Sequence, residues 1–127
     1  MIDSDARLAT ALEIGKRLFG DAPPPPGMPQ EFLEVALGHL YGEVWTRETL
    51  SVKLRSLITV ISVLSLARPH EARMHLAGAL NVGWTPAELR EAITHVAYYA
   101  GFPTAVEGHR ILSELLDTRV SVDPKQP

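Results

Sequence analysis

Residues 57–67, LITVISVLSLA, are apolar except for three hydroxyl side chains, and no other stretch restricts the fold of this chain as strongly. Their Val, Ile and Thr content would suit a buried strand. Together with the preceding SVKLRS, however, they make a segment far longer than an ordinary strand, and Ser51 is placed to cap a helix. The apolar part falls short of the roughly 18–20 residues that span a bilayer, and Ser56, Thr59, Ser62 and Ser65 punctuate the segment. The prediction is a core helix that is apolar nearly all round. A chain of 127 residues is most simply one domain, 1–127, burying about two thirds of its unfolded surface. Full cover for such a helix therefore implies help from other copies of the chain.

The remaining segments also read as helices. Leu8, Leu12, Ile14 and Leu18 recur at helical spacing between Asp5 and Phe19, and Gly20 is placed to end that element. The proline-rich connector 22–29 then excludes regular packing, whether it serves as a solvated linker or as an extended strap. Residues 30–41 put Phe32, Leu33, Ala36, Leu37 and Leu40 on one face of a second helix, and GEVWTRETLS is expected to be a loop. Pro69 opens a further helix that stops at Gly83. TPAE, residues 85–88, combines a capping Thr, a first-position Pro and a third-position Glu, and starts a helix that ends at Gly101. A last helix begins at Pro103, and 119–127 reads as a frayed tail. The fold class is thus all-α, with about five to six helices and no strand-pairing pattern.

Fifteen acidic residues against twelve basic ones, with no dense Lys/Arg block, do not make the electrostatic footprint of a nucleic-acid binder. The absence of cysteine excludes disulfides, thiolate zinc sites and Cys-x-x-Cys redox chemistry. The N-terminus is acidic and amphipathic, unlike a signal or basic transit peptide, so a cytoplasmic location with no membrane partner is expected. Small molecules and protein partners remain.

Chemistry-bearing residues concentrate in RPHEARMH, residues 68–75. His70 and His75 are five apart and point about 140° away from each other on a helix, so they cannot chelate one ion locally. The spacing is HExxxH rather than the HExxH of zinc proteases, and no metal is expected. Glu71 and His75, four apart, do share a face, where a carboxylate can orient an imidazole and raise its basicity. Arg68 lies just before the helix, where an anion would meet the positive end of the dipole. Taken alone, this pair also fits an ordinary surface Glu/His contact.

Read as a series, GEVWTR, RSLITV, HEARMHLAGALNVGWTPAELREAI and YYAGFPTAVEG resemble the carboxymuconolactone decarboxylase family over about residues 41–111. The resemblance implies a helical fold in ring-shaped homo-oligomers, commonly trimers or hexamers. Peroxidase-like members of the same superfamily carry Cys-x-x-Cys followed by His. On this chain those cysteine slots fall on Arg68 and Glu71, and His75 keeps the histidine slot, so thiol peroxidase chemistry is excluded. Val82 and Ala77 depart from the family's usual asparagine and arginine, which bears on the substrate more than on the fold.

The resemblance implies decarboxylation of a carboxylated unsaturated lactone, similar to 4-carboxymuconolactone. In such a substrate the electrons left by carbon dioxide run through the ring double bond to the lactone carbonyl, so no cofactor is expected. The protein must hold a dianion, stabilise a dienolate and protonate one carbon. His75 is the candidate proton donor and Glu71 its orienting carboxylate. Arg68 and Arg47 are candidates for the substrate carboxylates, and Trp45 for an apolar wall. Arg55 reads either as a further pocket residue or as an arginine at the wet end of its helix. Glu43, beside His39 before the Trp45 loop, is a candidate for supporting the site. His95 reads as a core or interface histidine, Tyr98 and Tyr99 as packing residues, and Glu107 and His109 as facing a neighbouring subunit. Two other functions remain open: a same-scaffold enzyme of isomerisation, cyclisation or lactone remodelling, and a non-catalytic oligomeric binding protein.

Overall fold

The computed structural model describes residues 4–122, and every regular element among them is helical. Helix α1 spans Ser4–Phe19; α2, Gln30–Val35, runs on into a π-helical segment, Ala36–Val44; α3 spans Val52–Ser65, α4 Pro69–Asn81, α5 Pro86–Ala100 and α6 Phe102–Val122. The all-α expectation holds. None of these helices is long and apolar enough to cross a membrane.

Local chemistry sets the helix ends where the sequence places them. Ser51 Oγ accepts the Leu54 N–H at 3.1 Å to start α3. At the start of α5 the Thr85 and Glu88 side chains each accept the other's backbone N–H, closing the capping box at 3.1 and 3.0 Å. Helices α3 and α4 both end in a Schellman motif. After α4 the left-handed position is Gly83 (φ +107°), with the Trp84 N–H donating to the Ala79 carbonyl at 3.0 Å. After α3 it is Ala67 (φ +57°), with the Arg68 N–H donating to Val63 at 3.0 Å. An alanine in that conformation is strained by about 1–2 kcal/mol.

The main core lies among α3, α4, α5 and α6, centred on Val60, Leu76, Leu89, Ile93, Ile111 and Leu112. A second cluster joins α1 and the π-helical segment to α4, around Ile14, Leu18 and Trp45, with Phe19, Tyr41, Val52 and Val82 packed against it. Helix α1 is tied down at its C-terminal turn. Asn81 Nδ2 donates to the Leu18 carbonyl at 2.7 Å, and at Gly78 a Cβ would stand 3.3 Å from that same oxygen.

Three expectations need correction. Residues 42–44 are helical rather than loop, because Gly42 serves a close approach of α1 rather than a break, and the Trp45 N–H reaches back five residues to the Leu40 carbonyl at 2.9 Å. Residues 119–122 belong to α6, since Arg119 docks on the end of α4 through the Ala77 carbonyl at 3.3 Å and Asn81 Oδ1 at 2.9 Å. The rest of the expected tail, 123–127, lies outside the described residues. Finally, the apolar face of residues 30–41 is only part-buried, with Leu33, Ala36 and Leu37 half-buried and Phe32 and Leu40 exposed; Leu54 and Ile58 are exposed on α3, the helix for which cover from other copies is expected.

Candidate active site

Helix α4 places His75 where α1 crosses it. The imidazole is 8% exposed and meets the Phe19 ring edge-on, with centroids 5.3 Å apart at 74°. Aromatic contacts continue outward from there: Phe19 to Tyr41 at 6.2 Å, and Tyr41 to Trp45 at 5.4 Å. Burial pushes the imidazole below the ordinary histidine value, and the charge of Glu71 one turn earlier acts in the opposite sense. Burial also raises the Tyr41 phenol. His75 Nδ1 is buried with no hydrogen-bond partner among the described residues, as is Ser56 Oγ in the middle of α3. A buried polar atom left unpaired costs on the order of 1–3 kcal/mol.

The residues singled out in the sequence converge only in part. His75 and Trp45 are both buried and are linked through Phe19 and Tyr41. Glu71 shares the α4 face with His75, acts on it through its charge, and is exposed with no hydrogen bond to it. Arg68 caps α4 with its guanidinium unpaired and lines an open groove of about 290 Å³ with Leu64, Pro103, Thr104 and Glu107, which does not reach His75. Arg47 is exposed and without an ion-pair partner among the described residues.

Arg55, half-buried near the start of α3, turns back on the preceding loop. Its guanidinium donates to the carbonyls of Leu50 and Arg47, both at 3.3 Å, so it braces the loop that carries Arg47. Glu43 is likewise occupied away from His75, accepting from Arg7 at 3.2 Å and lying 3.3 Å from His39 Nδ1. His95 is exposed against Tyr99 rather than in the core, and His109 bonds Thr94 of α5 at 3.0 Å. Phe19 and Tyr41 are the additions that sequence reasoning missed. Phe19 lies 56 positions from His75 with no local signal to connect them, whereas Tyr41 opens the resembling stretch with no motif residue beside it that marks a role. Among the described residues no three His, Asp or Glu side chains stand together as a metal site would need.

With this geometry in hand, comparison with known proteins is specific. A model of the carboxymuconolactone decarboxylase family matches residues 30–114, two thirds of the chain, and the protein belongs to that family. It is 42% identical over 76 residues to the 4-carboxymuconolactone decarboxylase of Acinetobacter baylyi, a match covering 60% of this chain and 57% of that one. It is 35% identical over 80 residues to the nitrosuccinic acid decarboxylase of Metarhizium robertsii, covering 63% of this chain and 56% of the relative. The chain thus spans little more than half the length of these two relatives.

Proposed function

We propose that this protein is a carboxy-lyase for a small organic acid whose own electron sink accepts the electrons left by carbon dioxide, with His75 as the proton donor. The observation that carries the reading is the imidazole itself: buried, depressed in pKa, unpaired at Nδ1 and subject to the charge of Glu71. A structural histidine is ordinarily satisfied by a partner. The names of both relatives support the reaction class. A conjugated lactone and a nitro group both delocalise a developing carbanion, which makes a cofactor-independent route chemically sufficient.

In this scheme the incoming carboxylates raise the proton affinity of the neutral imidazole, which takes up a proton. The carbon–carboxylate bond breaks, carbon dioxide leaves, and the electron pair passes into the lactone carbonyl or its equivalent. Imidazolium then returns its proton to carbon. Arg47, exposed and without an ion pair among the described residues, is the candidate cation for the carboxylates, and Arg68, whose groove does not reach His75 within one chain, is the candidate for the site of a neighbouring copy. Trp45 and Tyr41 supply apolar wall. The substrate assigned first is the carboxylated unsaturated lactone; the nitrosuccinic acid decarboxylase among the relatives is the specific reason to keep an acyclic acid beside it.

We also propose that the site is completed in a homo-oligomer, a trimer or hexamer. Exposed Leu54, Ile58, Phe32 and Val35 are the apolar surface that a second copy would cover. The experiment is to mix purified protein with γ-carboxymuconolactone or nitrosuccinic acid, without added metal or cofactor, and follow carbon dioxide release beside His75→Ala, with light scattering for the subunit number. Release by the parent and not by the variant supports the reading. Equal release by both would remove His75 from it.

A further inference from the structure

We propose that Phe19 of α1, rather than Glu71, is the residue that positions the His75 imidazole; this rests on the reading of His75 as proton donor. Four observations lead there. First, Glu71 is exposed and forms no hydrogen bond with the ring it was expected to orient. Second, Nδ1 is sealed from solvent without a partner, so no carboxylate, carbonyl or hydroxyl fixes the ring through that nitrogen. Third, the contact that does fix the ring plane is the edge-on Phe19 ring at 5.3 Å. Fourth, Phe19 is itself held: the residue before it accepts the Asn81 Nδ2 hydrogen bond at 2.7 Å, and the absent side chain at Gly78 lets that turn of α1 lie directly on α4. Helix α4 therefore carries the imidazole and also the two residues, Gly78 and Asn81, that seat its positioner.

The arrangement selects a tautomer. Neutral imidazole has one N–H and one lone pair, and the lone pair must lie on the nitrogen that takes up the proton. A ring that takes up a proton and gives it to carbon must do both at the nitrogen that substrate and water reach, so the sealed Nδ1 keeps its hydrogen through turnover and Nε2 alternates between lone pair and N–H. That nitrogen is not among the buried unpaired atoms, so it keeps the residual access of the ring and is the one that meets substrate. Phe19 lies outside the family-matched residues 30–114, so the part of the site that sets the imidazole comes from the N-terminal helix beyond that match. Glu71 is left with a through-space role on proton affinity, and no charged group of α1 registers on the ring.

The test uses the intact chain labelled with 15N-histidine, with the His75 signals assigned against His75→Gln. The parent should show one tautomer, protonated at Nδ1. Phe19→Ala should convert it to a tautomer mixture and move the titration midpoint upward as water reaches the ring. Glu71→Gln should leave the tautomer alone and move the midpoint down. A tautomer that changes in Glu71→Gln and not in Phe19→Ala overturns the proposal. If Phe19→Ala does not fold, Phe19→Leu is measured instead, with the same direction expected and an unchanged tautomer and midpoint overturning it. On a substrate that releases carbon dioxide, Phe19→Ala should lower kcat about tenfold with a smaller change in KM. A tautomer change without turnover of any tested acid removes the functional reading alone; turnover with an unmoved tautomer removes the positioning role alone.

Discussion

Gly42 and Arg7 lie so close that a Cβ at position 42 would overlap the Arg7 carbonyl oxygen and stand 2.7 Å from its Cγ. This contact seats α1 on the π-helical segment, and the Arg7–Glu43 ion pair at 3.2 Å closes over it. Glycine to alanine inside a helix ordinarily stabilises by about 1 kcal/mol. Here the obstacle is backbone, which cannot rotate away, and overpacking of this kind costs typically about 1–3 kcal/mol. Gly42→Ala should therefore lower Tm by several degrees in thermal unfolding, and an unchanged or higher Tm would show that the two helices can separate without loss.

Ala67 predicts the opposite sign. It occupies the left-handed position of the Schellman motif that ends α3, where the equivalent residue after α4 is Gly83. Ala67→Gly removes a strain of about 1 kcal/mol. The expected result is a Tm about 3–6 °C higher at this chain length. A lower Tm would mean that the freedom gained by the unfolded chain outweighs the relief.

Both positions bear on what can be read from a sequence. Caps are local chemistry, so Ser51, Thr85–Glu88 and the glycines at 83 and 101 are legible from spacing alone. Gly42 is not, because a glycine that ends a helix and one that admits a neighbouring backbone look alike until the neighbour is known. The octapeptide 68–75 points to α4 and to His75, the histidine that the fold buries. It placed Arg68 and Glu71 by helical angle and so could not show that Arg68 turns to the α6 groove or that Glu71 stays in solvent. Phe19 lies beyond any periodicity argument, since its contact with His75 depends on how two helices cross.

His75 should trade stability for activity. Its unpaired Nδ1 is a buried liability, so His75→Leu, similar in size and apolar, should raise stability by about 1 kcal/mol while abolishing turnover. The pH dependence follows from the same burial. The folded pKa lies below the ordinary 6.5, so between the two values the unfolded chain binds more protons and stability rises with pH. The full contribution is present above about pH 6.5 and is lost as pH falls below it toward the folded value. Denaturant titrations at a series of pH values should show this slope in the parent and a shallower one in His75→Leu. Equal slopes would place the sensitivity elsewhere.

Glu71 raises the proton affinity of His75 against the desolvation that lowers it. Glu71→Gln removes that charge, leaves imidazolium scarcer at neutral pH and shifts the alkaline limb of the kcat/KM profile to lower pH. Activity near pH 7 should fall about tenfold, within the usual range of acid–base assistance, and recover on acidification. A uniform loss at every pH would assign Glu71 to substrate binding instead.

Arg68 and Arg55 separate binding from bracing. Arg68 caps α4 through its backbone while its guanidinium stays unpaired, so Arg68→Ala should change stability by less than about 0.5 kcal/mol. If it meets a substrate carboxylate, the loss of a charge-assisted hydrogen bond worth about 1.5–3 kcal/mol should raise KM at least tenfold. Arg55 instead donates two hydrogen bonds to the loop carrying Arg47, so Arg55→Ala should lower stability by about 1 kcal/mol. Its effect on KM should be smaller, because the loop loosens while the Arg47 side chain remains. Steady-state kinetics and thermal unfolding on the two variants give four numbers with a crossed pattern. The reverse pattern, a KM effect at Arg55 and a stability effect at Arg68, would exchange their roles.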